Sequence, residues 1–335
     1  MKLALGSVKE VTNEILVFGR QMGATHIVVH CPQISDDNLG YYDYPDLLRL
    51  KTQVEAAGLE IAAIENVPHN WYDKVLFGLP GRDEQIENWC TTLRNMGKAG
   101  IPILGYHFMA LSVWRTSRTT PGRGGALVTS FDYDTSLSCP DKMQFPTIIG
   151  KSTDLLDGAL ERSDQEMWDN LTYFIEAAIP VAEEAGVRMA LHPDDPPISP
   201  LGGVARIMRS HSALKRLTEI VPSHYNGLEF CQGTVSEMPE NVLDAIRYFG
   251  SRSLICYVHF RNVNQSVPSF DETFIDEGHV DMLEAMKLYK EVGFTGPIID
   301  DHTPAVIEDT PYGHRGRAYA MGYIKALMQT VDTPK

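Results

Sequence analysis

Residues 166–197 read EMWDNLTYFIEAAIPVAEEAGVRMALHPDDPP. Leu171, Phe174, Ile175, Ala178 and Val181 recur at helical spacing, so Glu166–Glu184 is expected to form a helix with one apolar face. Ala185-Gly186 follows, and glycine at that point takes the left-handed turn that ends a helix and starts a strand. Val187–His192 is then an apolar run of strand length. It stops abruptly in a polar, proline-stiffened turn, His192-Pro-Asp-Asp-Pro-Pro.

The same unit repeats in both directions. Candidate strands are Lys2–Gly6, His26–Cys31, Leu59–Glu65, Ile101–Phe108, Val187–His192, Gly227–Gln232, Leu254–Asn262 and Pro297–His302. Helical segments lie between them, and Met22-Gly23, Ala57-Gly58, Ala99-Gly100 and Val292-Gly293 repeat the Ala185-Gly186 junction. Strand–helix–strand units cross over right-handedly and so build a parallel sheet. Eight of them close most naturally as a (β/α)8 barrel. A doubly wound sheet is the competing reading, but it uses fewer strands and a phosphate loop. Neither GxGxxG nor GxxxxGK[ST] occurs in the expected place.

At 335 residues the chain has the length of about two average domains, which one barrel absorbs as a single unit, 1–335. The spacing is uneven once. Residues 109–162, rich in Gly, Pro, Ser, Thr and Asp, form a βα connection long enough to be a lid-like insertion over the C-terminal face. A solvated, partly mobile loop is the plainer alternative. Arg115 and Arg118, beside Trp114, are its candidate site cations.

The net charge of −15 argues against nucleic acid or an anionic membrane surface as partner, while leaving room for a small anion held by local cations. The start, MKLALGSVKEV, is too short in apolar residues for a signal core, and no run is long enough to span a membrane. Cysteines 31, 90, 139, 231 and 256 form no CxxC pair, and an odd, sparse set fits reduced thiols of a cytoplasmic protein. A homo-oligomer is left open.

Chemistry gathers at strand ends. The fifth to eighth strands deliver His192, Cys231, His259 and Asp301 to one rim. Imidazole, thiolate and carboxylate together suit a borderline divalent metal. Separations of 39, 28 and 42 residues suit no zinc finger, but neighbouring barrel strands lie about one βα unit apart. Each residue has a plain reading alone: a hydrogen-bonded core histidine, a small buried cysteine, a helix-capping aspartate. Their joint occurrence favours the metal. Alternation puts His259 and Arg261 on one face, so Arg261 is expected to clamp a substrate carboxylate, with Asn262 beside it. Asp194 and Asp195 are expected to be outer acceptors or caps. His30 and His107 end strands and are rim candidates, as is Glu65 for substrate hydroxyls. His26, His211 and His224 read as surface or capping residues, Trp89 and Cys90 as core.

HPDDPP, the string Asn226-Gly-Leu-Glu-Phe-Cys-Gln-Gly233, VHFRN at 258–262, VDM at 280–282 and Asp301-His302 resemble the D-mannonate dehydratases. IENVP at 64–68, YHFM at 106–109 and the Trp114-Arg-Thr string agree more loosely. The resemblance implies a xylose-isomerase-like TIM barrel that uses Mn²⁺ or Fe²⁺ to dehydrate D-mannonate to 2-keto-3-deoxy-D-gluconate. By matching position it implies His192, Cys231, His259 and Asp301 as ligands and His302 and Tyr312 as catalytic residues. The chain departs from the family pattern around that sphere. A histidine expected three positions after an acidic residue near Phe270-Asp271-Glu272 is absent, and Ala110, Gln232 and Thr303 replace family residues. A metal-dependent isomerase, epimerase or eliminase acting on a related sugar is therefore the alternative enzyme. A non-catalytic sugar-acid-binding protein is the alternative outside enzymes.

Overall fold

The computed structural model describes residues 1–138 and 161–332. In chain order its strands are β1 (Lys2–Val8), β2 (His26–His30), β3 (Glu60–Glu65), β4 (Ile103–His107), β5 (Ser117–Pro121), β6 (Leu127–Asp132), β7 (Arg188–His192), β8 (Asn226–Cys231), β9 (Ile255–His259), β10 (Ser269–Asp271) and β11 (Pro297–Ile299). Eight of these close into a parallel barrel in the order β1-β11-β9-β8-β7-β4-β3-β2. They are the eight predicted strands, most of them shorter by one to four residues. The chain is a (β/α)8 TIM barrel.

Local sequence explains the repeat. All five predicted helix-end glycines sit at positive φ, between 69 and 85°. The helix read first runs Asp164–Ala185, opened by a capping box between Ser163 and Glu166. It buries Leu171, Phe174, Ile175 and Ala178 against the outside of the barrel. Each large side chain so buried contributes about 1.5–3 kcal/mol.

Inside the barrel the packing residues are small: Ala4, Ala62, Ala63 and Ala190 join Val28, Ile103, Cys256, Tyr257 and Ile299. That spare volume admits polar groups. A side chain at Gly105 would collide with the Tyr257 hydroxyl and the Glu229 carboxylate, both of which occupy the barrel axis beside β4. Register then levels the strand ends: His30 pairs with Glu65, His107 with His192 and Cys231 with His259.

The connection after β4 is partly ordered sheet rather than a solvated loop. β5 and β6 form a hairpin, and β10 from the β9 connection joins it antiparallel, in the order β10-β6-β5. Trp114, Phe131, Leu201, Val263 and Phe270 make its own apolar cluster. Leu127 bridges to Ala305, so this small sheet leans on three connections that leave C-terminal ends of barrel strands. Residues 139–160 of the expected insertion, with Cys139, lie outside the described residues. Among the described residues no helix is long and apolar enough to cross a membrane.

Candidate metal centre and active site

The C-terminal ends of the strands surround a cavity of about 1000 Å³. His192 and His259 line its floor, and Cys231, buried just behind them, offers a ligand atom within 4.8 Å of theirs. Asp301 stands beside them, Oδ2 lying 3.5 Å from His259 Nδ1 and 4.0 Å from Cys231 Sγ. The structure therefore brings together all four residues expected at the metal.

Their hydrogen bonds orient them. His192 Nδ1 donates to Pro193 O at 2.6 Å, which leaves Nε2 as the ring nitrogen free to face a ligand. His259 Nε2 lies 3.1 Å from Glu65 Oε2 and 3.1 Å from Glu229 Oε1. Carboxylates only accept, so Nε2 carries the hydrogen. His259 Nδ1 is then buried and, among the described residues, has no hydrogen-bond partner closer than the Asp301 carboxylate at 3.5 Å. A carboxylate holding the far nitrogen of an imidazole is the usual support of a metal-binding histidine. The orphaned nitrogen and the thiolate beside it fit a divalent cation.

The electrostatics point the same way. Burial opposes ionisation of Cys231, but Arg261 and His192 outweigh it and hold the thiol well below its ordinary range. Burial also opposes charge on Asp301, and His302, His259 and Arg261 overcome it to keep the carboxyl ionised. Burial would discharge His192, yet Cys231 and Glu229 push its pKa up to about 9. The thiolate and carboxylate are balanced by protonated imidazoles and by Arg261, and a bound cation would take over that role from the imidazole protons it displaces.

His302 and Tyr312 line the same cavity. His302 Nδ1 lies 2.5 Å from Glu272 Oε1, and its backbone is left-handed at φ 43°. The Tyr312 hydroxyl donates to Gly6 O at 3.1 Å, and its ring lies under Arg317. His107 also lines the cavity, near the Tyr72 hydroxyl at 3.3 Å.

Three expected substrate contacts are placed differently. Arg261 does bind carboxylates, but they are the protein's own: Asp195 at 2.7 Å, Glu237 at 3.0 Å and Asp301 at 3.1 Å. It is absent from the cavity wall. Asn262 is spent on backbone, donating to Val280 O and accepting from Val263 N and Val280 N. Glu65 lines the cavity, but both its oxygens are occupied, by His30 and His259. Arg115 is likewise no exposed site cation. It is buried with Asp195 and Glu272 on its guanidinium.

Sequence reasoning missed Glu229, Glu237 and the roles of Arg115 and Glu272. Glu229 was within reach, since it lies two residues before Cys231 on the same face of β8. Of the two aspartates in the proline turn, Asp194 accepts from Met208 N at 2.6 Å and the Asp195 carboxylate anchors Arg115 and Arg261. His26, expected at the surface, is buried at the far end of β2 against Thr25 and Glu60.

A barrel that ends four strand connections in histidine, cysteine and carboxylate around a deep cavity defines a class of metal-site barrel proteins. Comparison narrows the class. A D-mannonate dehydratase (UxuA) family model matches residues 9–335. The Mannonate dehydratase of Thermotoga maritima is 33% identical over 318 residues, covering 88% of each chain. The crystal structure of mannonate dehydratase from Streptococcus suis serotype 2 superposes with a TM-score of 0.87 at 32% identity, over 99% of this chain and 95% of that one. D-psicose 3-epimerase from Clostridium cellulolyticum H10 shares the fold alone, with a TM-score of 0.61 at 13% identity over 99% of this chain and all of the other. This chain belongs to the D-mannonate dehydratase family.

Proposed function

We propose that this protein is a hydro-lyase that dehydrates D-mannonate to 2-keto-3-deoxy-D-gluconate, with Mn²⁺ or Fe²⁺ as its resident metal. The observation that carries this reading is the convergence of His192, Cys231 and His259 within 4.8 Å at the base of a cavity that His192, His259, Asp301, His302 and Tyr312 line. Family membership supplies the substrate. The cation, held by His192, Cys231, His259 and Asp301, would stabilise the negative charge that develops when a proton leaves the carbon next to a carboxylate.

The chain's own residues do the rest. Glu65 and Glu229 fix the tautomer of His259, and Glu272 fixes that of His302 with Nδ1 protonated. His302 thus offers Nε2 to the cavity as a proton-transfer atom. Tyr312 closes the wall, anchored through Gly6. The reading takes residues 1–335 as one barrel domain with 109–162 inserted over its C-terminal face. It places the protein in the cytoplasm, where Cys231 stays reduced.

The direct test is chelation followed by readdition of Mn²⁺ or Fe²⁺ under reducing conditions, with 2-keto-3-deoxy acid followed from D-mannonate. Turnover should vanish and return. Failure to return with either metal would remove the mannonate assignment, and turnover of another aldonate or uronate would select a divergent substrate instead.

A second expectation concerns His302. His302→Asn should retain metal in elemental analysis while kcat falls by roughly 10²–10⁴-fold, the usual contribution of a positioned acid or base. Glu272→Gln should cost less, about tenfold, because it loosens His302 without deleting it. Full activity in His302→Asn would take the residue out of the mechanism.

A further inference from the structure

Among the described residues, only two lysine or arginine side chains line the cavity, Lys9 and Arg317. Lys9 is exposed, directly past the end of β1. Arg317 is built in. It stands in the first turn of the helix His314–Asp332, its side chain is 13% exposed, and oxygens of three residues hold it. Nη1 donates to Asp300 Oδ2 at 2.7 Å and to Gly6 O at 3.3 Å, and Nε donates to Tyr312 O at 2.9 Å. The guanidinium lies 4.6 Å from the Tyr312 ring centre. Nη2 has no partner among the described residues, so two N–H groups of a fixed cation are unspent beside the cavity.

Close approach of β1 and β11 makes this seat. A side chain at Gly6 would collide with Asp300 O at 2.6 Å and with Ile299 Cβ at 2.8 Å, so glycine lets the two strand ends meet under the arginine. Asp300 is fully buried and fixes the plane of the guanidinium. A buried ion pair is weak evidence for stability, and here the remaining nitrogen of the cation borders the site.

We propose that Arg317 clamps the carboxylate of the substrate, Nη2 donating to one of its oxygens; this rests on the sugar-acid dehydratase reading above. An aldonate carries a full negative charge into a cavity whose wall already holds Glu65, Asp195, Glu229, Asp301 and Asp309. The metal would meet part of that charge. Arg261, the arginine expected to meet the rest, is spent on Asp195, Glu237 and Asp301 and does not line the cavity. Arg317 does line it. Tied to Asp300, it is anchored at the same strand end that carries Asp301 and His302. Because protein oxygens already hold its guanidinium, little side-chain freedom is lost when a carboxylate arrives.

The test measures binding by calorimetry on the full chain loaded with metal, with D-mannonate and its neutral amide, D-mannonamide, as probes. Arg317→Gln should weaken D-mannonate roughly 10–100-fold, the worth of a hydrogen bond to a charged group, and D-mannonamide by no more than about threefold. That variant strands the Asp300 carboxylate. Arg317→Gln combined with Asp300→Asn removes both charges, and should show the same selective loss in a protein whose circular dichroism matches the parent. Arg317→Lys should recover little, because one ammonium cannot serve Asp300 and the substrate together. An equal loss for both probes would make Arg317 structural and overturn the proposal. So would parental affinity for D-mannonate in the double variant, or the selective loss arising in Lys9→Met instead. A parent that binds D-mannonate and forms no keto acid fails the dehydratase reading alone, and the two probes still decide the clamp. A parent that binds no aldonate overturns both.

Discussion

Cys231→Ala is expected to empty the metal site while leaving the barrel folded. The thiol sits at the end of β8 in register with His259, receives a hydrogen bond from Thr234 at 3.1 Å, and is held ionised by Arg261 and His192. A thiolate is a far stronger ligand for a borderline cation than the methyl group that replaces it. Loss of an outer partner already costs about 10–100-fold in metal affinity, so loss of a direct ligand should exceed 100-fold. Elemental analysis after dialysis should then show little metal, and turnover should fall in step. Asp301→Ala should do the same. Cys256→Ala is the control, since Cys256 is also buried in the barrel but packs among the small interior residues. Far-ultraviolet circular dichroism should match the parent in all three. Metal undiminished in both Cys231→Ala and Asp301→Ala would refute the proposed sphere.

The barrel was legible because parallel strands are covered on both faces and so appear as short apolar runs, each separated from its helix by a glycine that must turn left-handed. The ends were less sharp. Pro297–His302 reads as one strand, but the chain leaves the sheet after Ile299, and His302 takes φ 43° to turn its ring toward Glu272. The small sheet of β5, β6 and β10 gave no such signal. Its strands are Ser- and Thr-rich, and β10 comes from a distant connection, so only tertiary contact with Phe131 and Phe270 creates it.

The same division holds at the site. Where a residue's placement follows from its own strand, as for His192, Cys231 and His259 at strand ends, that placement was readable from sequence. Residues whose role depends on a partner were not. Arg261 was read as the clamp of a substrate carboxylate, whereas the carboxylates on it are Asp195, Glu237 and Asp301 from three separate connections. No local pattern records that meeting.

Arg115→Met should cost far more stability than any surface charge. Arg115 lies just before β5, almost wholly buried, and forms paired hydrogen bonds to Asp195 while donating to Glu272 from Nε at 3.1 Å and Nη2 at 2.5 Å. Its guanidinium lies 5.0 Å from the Phe270 ring centre, so one side chain joins the small sheet to the proline turn after β7. Removing it leaves Asp195 and Glu272 buried with Arg261 and His302 as their remaining charged partners. Breaking a buried ion pair in this way typically costs about 3–5 kcal/mol. For a chain of this size the thermal midpoint should drop by something on the order of 5–10 °C. Arg115→Lys should recover little, because an ammonium cannot reproduce the planar fork that spans two carboxylates. Arg123→Met is the comparison: its pair with Asp276 at 2.7 Å sits on the surface, 41% and 25% exposed, and should be worth at most about 1 kcal/mol. Asp195→Asn introduced into Arg115→Met should return part of the loss by removing the stranded charge, although it also weakens the hold on Arg261. Equal midpoints for Arg115→Met and Arg123→Met would mean that the buried network contributes packing rather than charge pairing, and that Glu272 reaches His302 without help from Arg115.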